Sequence, residues 1–305
     1  MEDFVEILRK CDNATFFHTP MWLDTVKHFW GMEWFYDQKR IGNTDILMPI
    51  SIYEDGVEKY YFSTFKGYGG ILTTEQILDE KEYLKLEREF FIKYSNFKTR
   101  DNPLSPWHST ISSNSMIDIG YIVNRNDKRE QCRSHRRKVA IATKNNVVCR
   151  RAESNEWGVF YQDCYLSTVS SWKNPSIVYS YQFFDYLHQF DGVELYVAEV
   201  SGKIIAGIIS LSFGKHTHLW LSGINNENKH KEPIYLLINN MIDYLLPSET
   251  VFVDLGVSGR NDNLLFFKRG FGGKKYESIQ YETSQNFGEL KKKLVRNCSH
   301  VNQVL

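Results

Sequence analysis

Val251-Phe252-Val253-Asp254-Leu255-Gly256 is a short apolar run that closes on an acid and a glycine, and Ile117-Asp118-Ile119-Gly120 repeats its ending in the first half of the chain. Outward from each run the sequence follows the same plan. Before the later run come three strand-like segments, 193–200 (VELYVAEV), 203–213 (KIIAGIISLSF) and 216–223 (HTHLWLSG), and then a helix over about 233–246. Before the earlier run, 45–53 (DILMPISIY) and 58–65 (EKYYFSTF) read as a strand pair joined through Tyr53-Glu54-Asp55-Gly56, with a helix over about 75–95 behind them. The repeat predicts a duplicated α/β (α+β) module, each copy a mixed, mostly antiparallel sheet flanked by helices. The expected domains are 1–126 and 127–305, with a binding cleft where the copies meet.

Composition bounds what such a pair of modules does. The 305 residues suffice for two domains, and 42% hydrophobic with 15% aromatic content supplies a sizeable core. A formal net charge of zero argues against a dedicated nucleic-acid coat. No apolar run approaches the ~20 residues needed to cross a bilayer, and MEDFVEILRKCDN does not resemble a secretory signal. The cysteines (Cys11, Cys132, Cys149, Cys164, Cys298) are scattered and form no C-x-x-C pair, so the expected compartment is a reducing cytoplasm.

Along the chain, residues 2–10 put Phe4, Val5, Ile7 and Leu8 on a short amphipathic helix. Thr19-Pro20 reads as N-cap and first helical position of a helix that stops at Gly31, with a strand at Trp34–Arg40 beyond it. Lys66-Gly67-Tyr68-Gly69-Gly70 permits close backbone approach. The 75–95 helix buries Ile77, Leu84, Leu86, Phe90 and Phe91, and 99–116 reads as a loop containing at most a short strand. A basic helix then links the copies, carrying Lys128, Arg129, Arg133, Arg136, Arg137, Lys138 and Lys144, with Arg150 and Arg151 following in a strand. Helices at about 155–170 and 180–190 bracket Ser171-Trp172-Lys173-Asn174-Pro175.

The second-half order of helix, strand, two helices, three antiparallel strands, helix, strand, helix, strand resembles the GNAT acyltransferase fold. Particular segments resemble Fem-type enzymes of that superfamily. These are Phe17-His18-Thr19-Pro20-Met21-Trp22, the loop Tyr68-Gly69-Gly70-Ile71-Leu72, the basic Arg133-x-x-Arg136-Arg137-Lys138 leading to Asn145-Asn146-Val147, and Asp254-Leu255-Gly256 with Phe267-Lys268-Arg269-Gly270-Phe271-Gly272. The resemblance runs through nearly the whole chain in order. It implies two tandem GNAT-like domains and transfer of an aminoacyl or acyl group to an amine of a cell-envelope peptide or amino-sugar precursor, with relatives in peptidoglycan and exopolysaccharide production. It implies no tightly bound cofactor and no metal, with aminoacyl-tRNA or acyl-CoA as donor substrate. One departure concerns the donor. Acetyl-CoA GNATs place a glycine-rich loop at a helix N-terminus to bind pyrophosphate, whereas this chain reads Asn225-Asn226-Glu227-Asn228-Lys229-His230-Lys231-Glu232-Pro233, without glycine.

Acyl transfer needs a donor aimed at the developing oxyanion, and Lys268 is the leading candidate; the alternative is a solvated lysine in the last turn of a helix. Asp254 is expected to manage the amine proton or, alternatively, to cap the loop after its strand. Arg133, Arg136 and Arg137 suit a phosphate-bearing partner, a nucleotide-linked precursor or tRNA, against the alternative of an exposed helix face. Trp172, Lys173 and Tyr181 flank a proline turn and suit sugar or base stacking, or rim packing. Asn225, Tyr235, Asn239 and Arg269 complete the expected substrate-binding set. His216 and His218 share a strand face, but the sequence places no third ligand beside them, with His230 the nearest further candidate, so an ordinary exposed sheet face is expected rather than a metal site. Two rival readings remain, an acyl-CoA N-acyltransferase on a sugar or small amine and a non-catalytic tRNA- or polysaccharide-binding relative. A closed cleft or a solvent-facing Lys268 would mark the second.

Overall fold

The computed structural model describes residues 2–74, 79–105, 107, 115–173, 178–259, 261–284, 287 and 290. The chain divides into two compact units, Met1–Ile119 with Glu277–Leu305, and Gly120–Tyr276.

The first unit begins with α1 (Glu2–Arg9) and α2 (Pro20–Trp30). The Thr19 hydroxyl accepts from Trp22 N–H, Pro20 occupies the first helical position, and Gly31 ends the helix in the left-handed region at φ 65°. Strands β1 (Glu33–Ile41), β2 (Thr44–Glu54) and β3 (Lys59–Phe62) form an antiparallel meander, with short β4 (Leu72–Thr73) against β2. Helix α3 (Glu80–Lys93), capped by the Asp79 carboxylate, crosses over to β5 (Phe97–Arg100), which lies parallel to β3. The expected helix start at 75–78, with Ile77, lies outside the described residues, as does most of 106–114. Ile46, Met48 and Ile50 of β2 pack with Leu86, Phe90 and Phe91 of α3 to make the core.

The Phe17–Trp22 motif and the glycine-loop motif prove to be one packing contact within this unit. A Cβ on Gly67 would stand 2.6 Å from the Phe17 ring. Phe17 meets Tyr68 edge-on at 5.4 Å, and Trp22 Nε1 donates to the Phe65 carbonyl at 3.1 Å. The glycine loop is shaped to receive the start of α2.

In the second unit, strand β6 (Ser115–Asn124) leads to α4 (Arg133–Lys144) and β7 (Val148–Arg151). Lys128 and Arg129 precede α4 rather than lying on it, because the helix starts after Cys132, whose φ, ψ of −68°, 155° are extended. A helical stretch follows, formed by a 3-10 turn (Ser154–Glu156), α5 (Trp157–Val159), a π segment (Phe160–Tyr165) and α6 (Leu166–Ser170), and then comes α7 (Tyr181–Leu187). Asn174 and Pro175 of the turn between them lie outside the described residues. The meander β8 (Val193–Val200), β9 (Lys203–Phe213) and β10 (His216–Ile224) is followed by a 3-10 helix (Asn226–Lys231) and by α8 (Pro233–Asn240), which continues as a π segment (Met241–Leu245). Last come β11 (Phe252–Val257), α9 (Asp262–Arg269) and β12 (Lys274–Glu282). The strand order in this unit is β6-β11-β10-β9-β8-β7, antiparallel except between β10 and β11. The continuous apolar run of β9 is buried from Ile204 to Leu211 because helices pack on it as well as strands.

Strands β10 and β11 share only three rungs, His216–Phe252, Thr217–Val253 and His218–Asp254. Beyond them β10 runs on to Ile224, whose N–H donates to Thr168 Oγ1 at 2.8 Å. Strand β11 instead shifts register against β6 between Asp254 and Val257, with Gly256 at φ +75°. The parallel pair therefore parts just past Asp254.

The duplication is present, in a different alignment from that expected. Each unit has a three-strand meander, a crossover helix and a parallel strand, so the counterpart of β11 is β5, not the run ending at Gly120. Strand β6 continues to Asn124, and Gly120 is glycine because a Cβ there would stand 2.2 Å from the Tyr276 ring. Asp118 instead accepts from Arg100 Nη1 at 2.6 Å. The divisions also differ from 1–126 and 127–305. The first crossing comes at 119/120, inside β6, and the chain returns to the first unit at Glu277, where the end of β12 pairs antiparallel with β5. A strand's partner is fixed by long-range pairing that local pattern does not encode.

Candidate active site

Asp254 is fully buried at the last shared rung of β10 and β11. Its Oδ1 accepts from Gly256 N–H at 2.7 Å and from Tyr276 OH at 2.8 Å, and its Oδ2 accepts from His218 Nδ1 at 2.8 Å. His216 Nε2 stands 3.7 Å from Oδ2, beyond hydrogen-bond range. Burial alone would raise the carboxyl's pKa. The charge interaction with His218, followed by those with His216, outweighs burial and holds the group well below its usual range. Asp254 is thus a buried anion held by a backbone amide, a phenol and an imidazole. The expected loop cap is present as the Gly256 bond.

Two turns of structure later, Lys268 folds back onto the same bulge. It is the penultimate residue of α9, and its Nζ donates to the carbonyls of Gly256 and Val257 at 3.0 and 2.9 Å. Burial pushes the ammonium down from 10.5 to about 8, opposed by the charge of Asp254. At neutral pH it remains a cation with a third N–H to give. The solvent-facing lysine expected of a non-catalytic relative is not what the chain presents.

His218 enters this site although the sequence suggested an exposed sheet face for it and His216; both are buried, because β11 pairs beside them. Asp254 lies beside both histidines, yet it engages His218 by a direct hydrogen bond, and no group of metal-ligating side chains of three or more occurs among the described residues. No sequence signal distinguishes His218 from His216. The rung opposite Asp254 does, and it is set by the β10–β11 register.

The other expected residues divide into two groups. Around α4, α8 and α9, Lys138 donates to Tyr235 OH at 3.1 Å, pairs with Glu232 at 3.2 Å and lies over the Tyr235 ring. Burial would lower the Lys138 pKa, but its bonds to Tyr235 and Glu232 raise it. The Tyr235 ring packs edge-on against His135 and Phe267, and His135 Nε2 donates to the Phe267 carbonyl at 2.8 Å, the residue before Lys268. Asn239 accepts from Arg129 Nη2 at 2.9 Å and donates to Asp243 Oδ2 at 2.8 Å. Asn225 caps the 3-10 helix, accepting from Glu227 N–H at 3.1 Å. Arg133, Arg136, Arg137 and Arg269 are exposed, and Arg136 bonds the Gln131 carbonyl. Trp172, 42% exposed, and Lys173 lie in the turn after α6, while Tyr181 at the start of α7 packs edge-on with Tyr161. These three stand on elements other than those that carry Asp254, His218 and Lys268.

The α8 N-terminus, where an acetyl-CoA enzyme binds pyrophosphate, carries Glu232 as its cap at φ 55° and Pro233 in its first turn. A carboxylate paired with Lys138 offers a diphosphate no net positive charge, and Pro233 has no N–H to offer.

Residues 126–268 match the family model described as an acetyltransferase (GNAT) domain. No curated protein matches the sequence. Among solved structures, FemX superposes with a TM-score of 0.68 over 95% of this chain and 97% of its own, at 12% identity. The C-terminal domain of a putative lysylphosphatidylglycerol synthetase from Agrobacterium fabrum gives 0.57 over 94% and 95%, at 12% identity. L-PGS from Bacillus licheniformis gives 0.56 over 92% and 97%, at 8% identity. The stretch 126–268 is a GNAT-type transferase domain, and the chain as a whole has the Fem-like fold.

Proposed function

We propose that this chain, with its Fem-like fold and GNAT-type transferase domain, moves an aminoacyl group from an activated ester to an amine of a cell-envelope peptide or amino-sugar precursor. The observation that carries the reading is Lys268. It is a half-buried cation fixed by two backbone carbonyls where β10 and β11 part. Two N–H bonds orient the ammonium, and the third is available to a carbonyl oxygen that gains charge as the amine attacks. The C–N bond forms, the ester C–O bond breaks, and the leaving hydroxyl takes a proton.

The donor is an aminoacyl-tRNA in this reading, because Glu232 and Pro233 disfavour a CoA pyrophosphate at α8. Arg133, Arg136 and Arg137, exposed in the first turns of α4, would hold phosphates of the donor or of a nucleotide-linked acceptor. A donor of that kind places the reaction in the cytoplasm. The match of 126–268 to an acetyltransferase domain favours the second reading, an acyl-CoA donor.

A mass-spectrometric screen tests both. Alanyl-, glycyl-, seryl- and lysyl-tRNA, acetyl-CoA and longer acyl-CoAs are each offered with nucleotide-linked muramyl peptides, glucosamine and phosphatidylglycerol. An aminoacyl increment on an amine is expected. An increment from acyl-CoA alone replaces the donor, an increment on phosphatidylglycerol replaces the acceptor, and no increment from any pair ends the transferase reading.

A further inference from the structure

We infer that His218 is the general base of the transfer, with Asp254 as its positioning residue. The inference rests on the acyl-transfer reading above and assigns a role that reading leaves empty. Asp254 cannot take it. It has no exposed surface, and both its oxygens are occupied, Oδ1 by Gly256 N–H and Tyr276 OH and Oδ2 by His218. The His218 side chain keeps 11% of its surface exposed, so of the pair it alone reaches a substrate.

The hydrogen bond also sets the tautomer. An ionised carboxylate only accepts, so the proton on the shared edge belongs to Nδ1, and Nε2 carries the basic lone pair. That nitrogen lies near the cation. From the position a Cβ would occupy on Gly256, His218 Cε1 is 2.9 Å away and His218 Nε2 and Lys268 Nζ are each 3.6 Å away. With no side chain at 256, the imidazole of β10 and the ammonium of α9 both close on the same stretch of backbone, bringing a base and an oxyanion donor together from two different elements. The arrangement of nucleophile, imidazole and buried carboxylate follows the logic of base, orienter and charge partner used by hydrolytic triads, with an amine in place of the serine.

In the step, the neutral amine attacks the donor carbonyl and the C–N bond forms. His218 Nε2 takes the proton released from the amine nitrogen, and Asp254 stabilises the imidazolium through Nδ1–H. The imidazolium then gives that proton to the leaving oxygen as the ester C–O bond breaks, so His218 ends neutral. Around it stand Asp254 on β11, Lys268 on α9, and His216 on its own strand with its ring parallel at 6.5 Å, while Tyr276 on β12 bonds the other oxygen of Asp254. Burial keeps His216 below the usual histidine range.

The test compares wild type, His218→Asn, His218→Ala and Asp254→Asn, using the same charged tRNAs with nucleotide-linked muramyl peptide and glucosamine. Asn keeps an N–H toward Asp254 and removes the base. The expected result for His218→Asn is a kcat lower by about 100-fold or more with KM within about threefold, and loss of the acid limb of the pH–rate profile. Imidazole is expected to restore part of the rate to His218→Ala, and Asp254→Asn to move the limb without abolishing it. Melting curves identify any variant that does not fold, in which case the imidazole response decides. Transfer by His218→Asn within threefold of wild type, with an unchanged profile, overturns the inference and leaves the transferase reading intact. No transfer by wild type with any pair overturns both.

Discussion

Asp254 and His218 face each other on the last shared rung of β10 and β11, and the carboxylate takes the imidazole Nδ1–H at 2.8 Å. Removing the acid strands three donors at once, those of Gly256, Tyr276 and His218. Asp254→Ala is therefore expected to cost about 3–5 kcal/mol, read from urea unfolding. The acid dependence has a definite sign. Because the folded pKa lies below the unfolded one, the stabilisation is complete above about pH 4 and is lost as pH falls through the folded value. The stability gap between wild type and Asp254→Asn should hold constant above pH 4 and close below it.

Lys268 behaves in the opposite sense. Burial lowers its folded pKa to about 8, so between about pH 8 and 10.5 the unfolded chain binds the extra proton. Wild type should gain stability relative to Lys268→Met across that interval, with a slope no steeper than about 1.4 kcal/mol per pH unit, and the difference should level off above it. Activity should move the other way. With the ammonium as the proposed oxyanion donor, kcat should decline above about pH 8, and Lys268→Ala should lower it by about 100-fold or more while leaving the fold intact. Full activity in Lys268→Ala would remove the residue from the mechanism.

Much of this site was legible in the sequence, and what escaped did so for one reason. Lys268 and Asp254 stood in short ordered motifs, and every strand of the second meander fell where alternation and apolar runs placed it. His218 and Tyr276 became visible as neighbours of Asp254 only with the register. His218 meets the Asp254 carboxylate because it lies opposite Asp254, and Gly120 matters because Tyr276 passes over it. Pairings between residues as far apart in the chain as these leave no local periodicity to read. The same limit produced the misplaced counterpart. Asp118-x-Gly120 copies the letters of Asp254-x-Gly256, but it sits within a strand, with its carboxylate on Arg100.

Gly256 offers a test of the converging geometry that does not touch an ionisable group. It sits at φ +75°, and an added methyl would meet His218 Cε1 at 2.9 Å. Gly256→Ala should cost about 1–3 kcal/mol from the left-handed backbone. Its loss of kcat should exceed that of a variant equally destabilised elsewhere, such as Gly67→Ala, whose Cβ would meet Phe17 in the first unit. Calorimetric melts and initial rates on the two variants separate obstruction of the site from general weakening.

The basic first turns of α4 decide what kind of anion the chain holds. Arg133 and Arg137 make no side-chain bond among the described residues, and Arg136 reaches only the Gln131 carbonyl, so all three heads are free to move to a ligand. An ordinary solvated face would leave binding unchanged on substitution. A phosphate-reading face would not, because each neutralised phosphate releases counterions and steepens the salt dependence. The triple substitution Arg133→Gln, Arg136→Gln, Arg137→Gln should weaken retention of charged tRNA at about 50 mM salt and flatten the plot of log K against log salt by about 0.7–0.9 for each phosphate that is no longer neutralised. Filter binding between about 50 and 200 mM salt reads both quantities. Loss of transfer with an unchanged tRNA slope would assign these arginines to the nucleotide-linked acceptor instead.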